Sequence, residues 1–371
     1  MSVTFCVPCL FGLEGLVADE LRRMGMEEVR ADNGRVRFDG NAASMAVANI
    51  SLRCGERVLL ELGSFRAESF DALFEGTRAL PWERFIPREG VFPVKGYSLG
   101  SALHSIPDCQ RIIKKAVAAR LGAQYGVDWL PETGSLYQIQ FSIMKDEATL
   151  YLDTSGAPLF KRGYRPESVA APLRETLAAG MVNLARYRGK GDFCDPFCGS
   201  GTIAIEAALA AKNRAPGVGR GFAAEKWPAV PNKVWRTARE AAREKEFSGE
   251  YHIYASDIDP KAVAVAKQNA ARAGVAELIE FSVADAREFS RQTERGVIVT
   301  NPPYGERLME KQASAELYRD FGAALRGREN WKLYLISSHT EFERSFGAEA
   351  DKKRKLYNGM MKCDLHIYEK V

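Results

Sequence analysis

The sequence predicts an α/β protein whose C-terminal half is a doubly wound, mostly parallel sheet, preceded by two smaller α+β units. Three observations carry this. From residue 193 to 337, short apolar runs alternate with amphipathic helical runs, the pattern of βαβ units joined by right-handed crossovers. Asp195-Pro-Phe-Cys-Gly-Ser-Gly-Thr202 separates an apolar run from the helical run 203–211, so it reads as a strand, a tight glycine turn and a helix. Near the end, Asn358-Gly359 lies between two extended runs. That dipeptide is a type I′ hairpin signal, which makes the last two strands antiparallel.

The composition bounds the rest. A chain of 371 residues has room for two or three domains, and 46% hydrophobic with 27% charged residues is ordinary for a globular protein. No run approaches the roughly 18–20 apolar residues of a membrane span. The first thirty residues carry Glu14, Asp19 and Glu20, unlike a secretory signal, so a cytoplasmic protein is expected. Seven cysteines, an odd number in apolar surroundings, suit reduced thiols. Cys6-Val-Pro-Cys9 has the spacing of half a zinc site, but no second half follows and only four histidines exist. No metal is expected. A net charge of +4 permits a nucleic-acid partner without requiring one.

Residues 1–53 read as one small α+β unit. A strand at 3–7 precedes a helix marked by Leu13, Leu16, Val17 and Leu21. Extended runs either side of Asn33-Gly34 give a hairpin, and 42–52 a second helix. Residues 54–155 form a second unit, with strands at 58–62, 91–97, 136–143 and 149–152 and helices at 70–78 and 108–125. The last helix has an apolar face of Ile112, Ile113, Ala116, Val117 and Leu121. Arg111, Lys114, Lys115 and Arg120 gather on its other side, either as a solvated face or as a phosphate-binding one. Lys95-Gly-Tyr97 adds a cation and an aromatic in a strand.

Glycines and prolines make 156–172 a linker, and within it lies Lys161-Arg162-Gly-Tyr-Arg165. That basic loop could contact RNA, close over a ligand, or simply be polar. A helix over 173–187 leads into the strand before the glycine turn, and 213–249 is an excursion the sheet does not demand. Strands then end at Asp257, Asp285 and Asn301, with helices over 261–273 and 315–325 and a further strand at 331–337.

The strand-end residues suggest chemistry. A carboxylate at Asp257 can accept both hydroxyls of a ribose, and Asp285 can accept from an adenine amino group beside the backbone N–H of Ala286. Asp195 suits a positively charged group. Gly199-x-Gly201-x-x-Ala204 also fits a dinucleotide fingerprint, but there the acidic residue lies about 20 residues past the glycines, and here it lies more than fifty past them. In Asn301-Pro302-Pro303-Tyr304 the prolines supply carbonyls without N–H groups, so the loop presents acceptors. Asn301 Oδ1 and the Pro302 carbonyl can take both N–H bonds of an exocyclic amine, with Tyr304 as a stacking face. Such an amine is a poor nucleophile, so positioning and hydrogen bonds to developing charge are its natural catalysts. The two motifs together read as the cofactor and target-amine sites of a methyltransferase using S-adenosylmethionine.

KRGYRPE, APLRETLA, DPFCGSGT, APGVGRGFAAEKW, SDIDP and NPPYGER, all within 160–371, resemble the motifs of THUMP-domain guanine-N2 RNA methyltransferases, above all those forming N2-methylguanosine in bacterial 23S rRNA. The resemblance implies a Rossmann-like class I methyltransferase domain over 173–371, a ferredoxin-like unit over 1–53 and an RNA-binding THUMP domain over 54–155. It implies Asn301, Pro302, Pro303 and Tyr304 as catalytic. It also implies Asp195, Phe197, Cys198, Gly199, Ser200, Gly201, Thr202, Asp257, Ile258, Asp285 and Ala286 as the S-adenosylmethionine site. RNA contacts are expected at Arg111, Lys114, Lys115, Arg120, Lys161, Arg162 and Arg165. Some relatives carry a second methyltransferase domain after the matching one, where a single such domain is expected here, and others act on tRNA. Adenine-N6 methylation and a non-catalytic RNA-binding assembly factor stand as alternatives.

Overall fold

The computed structural model describes residues 2–165, 173–304, 308–359 and 361–371, with the side chains of 308–311 left aside. Residues 166–172 of the expected linker, Gly305 to Arg307 after the tetrapeptide, and Met360 in the expected hairpin lie outside the described residues.

The first unit is β1 (Val3–Pro8), α1 (Glu14–Arg23), β2 (Glu27–Asp32), β3 (Arg35–Gly40) and α2 (Ala42–Ser51). The second is β4 (Leu59–Arg66), α3 (Phe70–Ala79), β5 (Val94–Leu99), α4 (Ile106–Tyr125), β6 (Ile139–Met144) and β7 (Glu147–Asp153). Local chemistry sets their ends. Gly34 turns the β2–β3 hairpin at φ +71°, and the side chains of Asn41 and Ser69 accept N–H bonds at the starts of α2 and α3. The two units are not separate sheets. Their seven strands run β2-β3-β1-β4-β7-β6-β5, with β1 pairing β4 through Cys6 opposite Leu59. The chain near residue 53 therefore connects two units that share one continuous sheet. Alternation decides the faces. Phe5, Val7, Phe38, Leu60, Phe141 and Leu152 lie in the helix-covered core, while Cys6, Leu59 and Tyr151 form a small cluster apart. Cys9 belongs to that core, so Cys6 and Cys9 stand on opposite faces. Burial pushes the Cys6 thiol up to about 11.

The C-terminal half comprises α5 (Glu175–Leu184), β8 (Asp192–Asp195), α6 (Thr202–Ala211), α7 (Asn232–Glu244), β9 (His252–Asp257), α8 (Pro260–Ala273), β10 (Ile279–Val283), β11 (Gly296–Thr300), α9 (Leu308–Leu325), β12 (Trp331–Ser337), α10 (Phe342–Phe346), β13 (Lys352–Asn358) and β14 (Met361–Tyr368). Its sheet runs β10-β9-β8-β11-β12-β14-β13, parallel through β12, with β14 antiparallel to both neighbours. All four residues of β8 are buried, as a central strand covered on both faces requires. Strand order reverses between β8 and β11, and a crevice opens there at the strands' C-terminal ends.

The excursion joins the halves. Its helix α7, unpredicted from sequence, buries Trp235, Ala238 and Ala242 and stacks Trp235 on Phe222 with centroids 5.3 Å apart. Trp227 stacks on Tyr137 at 4.8 Å and donates its indole N–H to the Leu136 carbonyl at 2.9 Å. The Gly217 N–H donates to the Ile50 carbonyl at 2.8 Å. A Cβ on Gly217 would sit 2.9 Å from that same oxygen, so only glycine permits the approach.

The basic loop does not face outward as a whole. Arg162 is buried and pairs with Glu206 of α6 at 3.4 Å, where the Tyr164 hydroxyl also donates at 3.1 Å. Arg165 pairs with Glu175 at 2.7 Å and donates to the Thr202 hydroxyl at 3.1 Å. The expectation that Arg162 and Arg165 contact RNA is corrected: both guanidinium groups are spent inside the protein, fastening the loop to α5 and α6. Lys161 remains exposed. No helix among the described residues is long and apolar enough to cross a membrane.

Candidate active site

The glycine turn is shaped by two left-handed residues, Gly199 at φ +50° and Gly201 at φ +81°. Their surroundings differ. A Cβ on Gly201 would meet Ala266 Cβ at 2.9 Å, so that glycine lets α6 pack on α8, whereas a Cβ on Gly199 meets nothing within 4 Å. The turn is tied to the next strand, since the Cys198 N–H donates to the Ser256 carbonyl and the Gly199 N–H to Asp257 Oδ2, both at 2.9 Å.

A cleft of about 840 Å³ opens over these strand ends. Of the residues expected around a cofactor, Phe197, Gly199, Asp257, Ile258, Asp285 and Ala286 line it. Cys198, Ser200, Gly201 and Thr202 are not among its lining; all but the half-buried Ser200 are buried, as the frame of the turn. Asp195 is also beneath, only 1% exposed, with Oδ1 accepting from the Thr300 hydroxyl at 2.7 Å. Its Oδ2 is buried with no hydrogen-bond partner among the described residues. Burial pushes this carboxyl up to about 7, against the pull of the bonds from Thr300 and Phe197.

Asp257 Oδ1 accepts from the Asp259 N–H at 3.0 Å, which with Gly199 uses one lone pair on each oxygen. Asp285 caps the turn after β10 by accepting from the Arg287 N–H at 2.9 Å. It also pairs with the Arg287 guanidinium at 2.5 Å, whose hydrogen bonds hold the carboxyl below the usual range.

All four residues of Asn301-Pro-Pro-Tyr304 line the same cleft, across from these carboxylates. The Tyr304 hydroxyl donates to Asn301 Oδ1, closing the tetrapeptide on itself and orienting the carboxamide. The Tyr318 hydroxyl, buried on α9, donates to the Pro303 carbonyl at 2.7 Å and lies 3.4 Å from Ser337 Oγ. This support has no signal in the sequence, because a buried aromatic at helical spacing reads only as core. Arg174, Arg287, Asn358 and Met361 also line the cleft; Asn358-Gly359 had read only as a hairpin turn.

Residues 162–367 match the RMKL-like methyltransferase domain. The chain belongs to the RMKL-like methyltransferase family. Residues 4–59 match the RlmL ferredoxin-like domain, and 67–153 the THUMP domain. The chain is 46% identical to YpsC of Bacillus subtilis (strain 168), named as a candidate RNA methyltransferase, over 96% of this chain and 93% of that one. It is 35% identical to the ribosomal RNA large subunit methyltransferase K/L of Psychromonas ingrahamii over 99% of its length, and spans about half of that longer relative (50%). Among solved structures, SMU.472, a candidate methyltransferase complexed with SAH, superposes with a TM-score of 0.95 at 37% identity, covering 100% and 98% of the two chains. A Listeria monocytogenes protein described by prediction as an N6-adenine-specific DNA methylase superposes at 0.94 with 43% identity, covering 99% and 96%.

In this RMKL-like methyltransferase the expected RNA-contacting cations of α4 are mostly engaged within the fold. Lys114 pairs with Glu132 at 2.6 Å and sits 3.6 Å from the Phe92 ring centroid. Arg120 pairs with Glu83 at 2.5 Å, and Arg111 pairs with Asp108 one turn back. Lys115 is exposed. Three of the four cations expected on this helix thus have acidic partners within the fold, while Lys114 and Arg120 stay partly exposed.

Proposed function

We propose that the chain is a cytoplasmic enzyme that transfers a methyl group from S-adenosylmethionine to the exocyclic N2 of a guanine in structured RNA, 23S rRNA first among them. The observation that carries this reading is the placement of Asn301-Pro-Pro-Tyr304 across one cleft from the glycine turn, Asp257 and Asp285. The K/L relatives' name and the THUMP match support the RNA class.

The residues present fit S-adenosylmethionine. Open space over Gly199, carboxylates at two neighbouring strand ends and the unpartnered Asp195 Oδ2 suit a cationic nucleoside. When bound, the cofactor supplies an electrophilic methyl. Asp257 retains a lone pair on each oxygen for two ribose hydroxyls, and Asp285 for an adenine amino group. Asn301 Oδ1 and the Pro302 carbonyl accept the two N–H bonds of the target amine, drawing its nitrogen towards tetrahedral geometry. Tyr304 keeps the Asn301 carboxamide aimed and offers its ring to the base. The methylated ammonium loses its proton readily, so no tuned general base is needed.

The deciding experiment is nucleoside mass spectrometry of rRNA treated with the purified chain and S-adenosylmethionine. N2-methylguanosine is expected, whereas N6-methyladenosine as product would assign the same tetrapeptide to adenine, as the Listeria protein's description would have it.

Two further outcomes are expected. A cation above Asp195 favours its ionised form, so cofactor affinity should rise with pH. With a carboxyl near 7, calorimetry should find it about tenfold tighter at pH 8 than at pH 6. Asp195→Asn should flatten that profile. Tyr318 acts as a positioning residue: Tyr318→Phe leaves the Pro303 carbonyl short of a donor, worth roughly 1–3 kcal/mol. The loss should fall on kcat, with KM for S-adenosylmethionine unchanged; an equal rise in KM would make Tyr318 merely structural.

A further inference from the structure

The N-terminal sheet carries its helices on one face, and the opposite face holds an unusual row of residues. Strand register aligns Lys95, Gln140, Tyr151 and Glu61 across β5, β6, β7 and β4, with Tyr97 beside Ser142 and Thr149 in the next row. Further along the same face, Leu59, Cys6, Arg37 and Arg30 align across β4, β1, β3 and β2. Most charges here cancel: Arg37 pairs with Glu61 at 2.7 Å, Arg30 with Asp39 at 3.1 Å, and Arg57 with Asp153.

Two cations do not cancel. Arg35 is only 9% exposed, and its guanidinium meets the Tyr151 hydroxyl at 3.3 Å and Met144 Sδ at 2.5 Å. Among the described residues no carboxylate pairs with Arg35 or with Lys95. A buried guanidinium without a counter-charge is costly, and an incoming anion would relieve it. Arg35 lines a cavity of about 200 Å³ together with Arg57, Tyr97, Gln140, Ser142 and Tyr151. Tyr97 stands at its rim, 49% exposed, on the edge strand β5.

This cavity adjoins the catalytic cleft through one ion pair. Glu56 lines the cavity, Arg174 lines the cleft, and the two are 3.2 Å apart.

We propose that this helix-free face is a binding site for a single-stranded RNA segment continuous with the target nucleotide: a phosphate seats at Arg35, Lys95 neutralises its neighbour, and a base stacks on Tyr97. Single-stranded RNA is the occupant because the exposed Tyr97 ring at the rim of a cationic cavity can engage the face of a base, which a duplex conceals. The inference rests on the RNA reading above, and assigns to the sheet the contact that the α4 cations, engaged with Glu83, Asp108 and Glu132, supply poorly.

The test measures binding of the full chain to a fluorescein-labelled oligouridine of about twelve nucleotides, single-stranded and as a duplex with oligoadenosine. Tyr97→Ala is expected to weaken single-strand binding by about 5- to 100-fold, leaving the duplex little changed, and Tyr97→Phe to restore it. Lys95→Gln should lower the slope of log affinity against log salt by about 0.7. Both positions are exposed, so the variants should fold. Unchanged single-strand affinity in Tyr97→Ala, or equal loss on the duplex, overturns the proposal. So does self-association that depends on Tyr97, which would give this face to a second copy of the chain. If the wild-type protein methylates rRNA and Tyr97→Ala matches its kcat/KM, the sheet site falls and the methyltransferase reading stands. If single-strand binding depends on Tyr97 but no N2-methylguanosine forms, the sheet site stands and the target assignment falls.

Discussion

Asn301→Ala is expected to slow methyl transfer by about 10²–10³-fold while leaving cofactor and RNA affinity unchanged. The carboxamide oxygen is one of two acceptors facing the target amine, and its hydrogen bond strengthens as the nitrogen acquires positive charge. The loss should therefore appear in the chemical step, not in binding. Single-turnover kinetics with saturating cofactor measure that step directly. Wild-type turnover in Asn301→Ala would remove the tetrapeptide from the catalytic role. Tyr304→Phe separates two functions in the same loop. Its ring remains for stacking, but the hydroxyl that orients Asn301 Oδ1 is gone. Activity between that of wild type and Asn301→Ala is expected.

The second large effect is on stability. Arg162→Ala is expected to destabilise the chain by roughly 3–5 kcal/mol, because it leaves the Glu206 carboxylate buried without its cation. Glu206 is 1% exposed, one oxygen accepts from Tyr164 and Arg162, and the other has no partner among the described residues. Urea denaturation checks this, and replacing both members with apolar side chains should recover much of the loss. A cost below roughly 1 kcal/mol would class the pair with exposed ones. The variant also tests the loop's purpose. Weakened RNA binding in a fully folded Arg162→Ala protein would return the residue to the RNA-contacting role.

What the sequence disclosed and what it hid divide along range. The glycine turn, the Asn33-Gly34 and Asn358-Gly359 turns and the strand-end aspartates are written in consecutive residues, so local chemistry sufficed to find them. Asp257, Asp285 and Asn301 were legible as one site because parallel alternation sends successive strand ends to the same edge of a sheet. The Arg162 partner lies 44 residues away, so the loop read as a basic patch although its charge is neutralised. The Arg111–Asp108 pair, at i and i−3, was within local reach. Helix α7 was legible too, since Trp235, Ala238 and Ala242 follow helical spacing. The pairing of β1 with β4 had no local signature, and with it went the continuity of the first sheet.

That continuity bears on how the chain is made. Strand β4 closes one edge of β1 as soon as residue 66 exists, but its own far edge waits for β7, which begins at Glu147. At ordinary rates of translation the intervening stretch of about 80 residues takes roughly 4–16 seconds to appear. For that interval a half-built sheet emerges from the ribosome with an open strand and Leu60 awaiting its cover. Nascent chains in this state are prone to pair with one another. The outer edge of β4 is thus the last open edge between the two units, and the arrival of β7 joins them in one sheet.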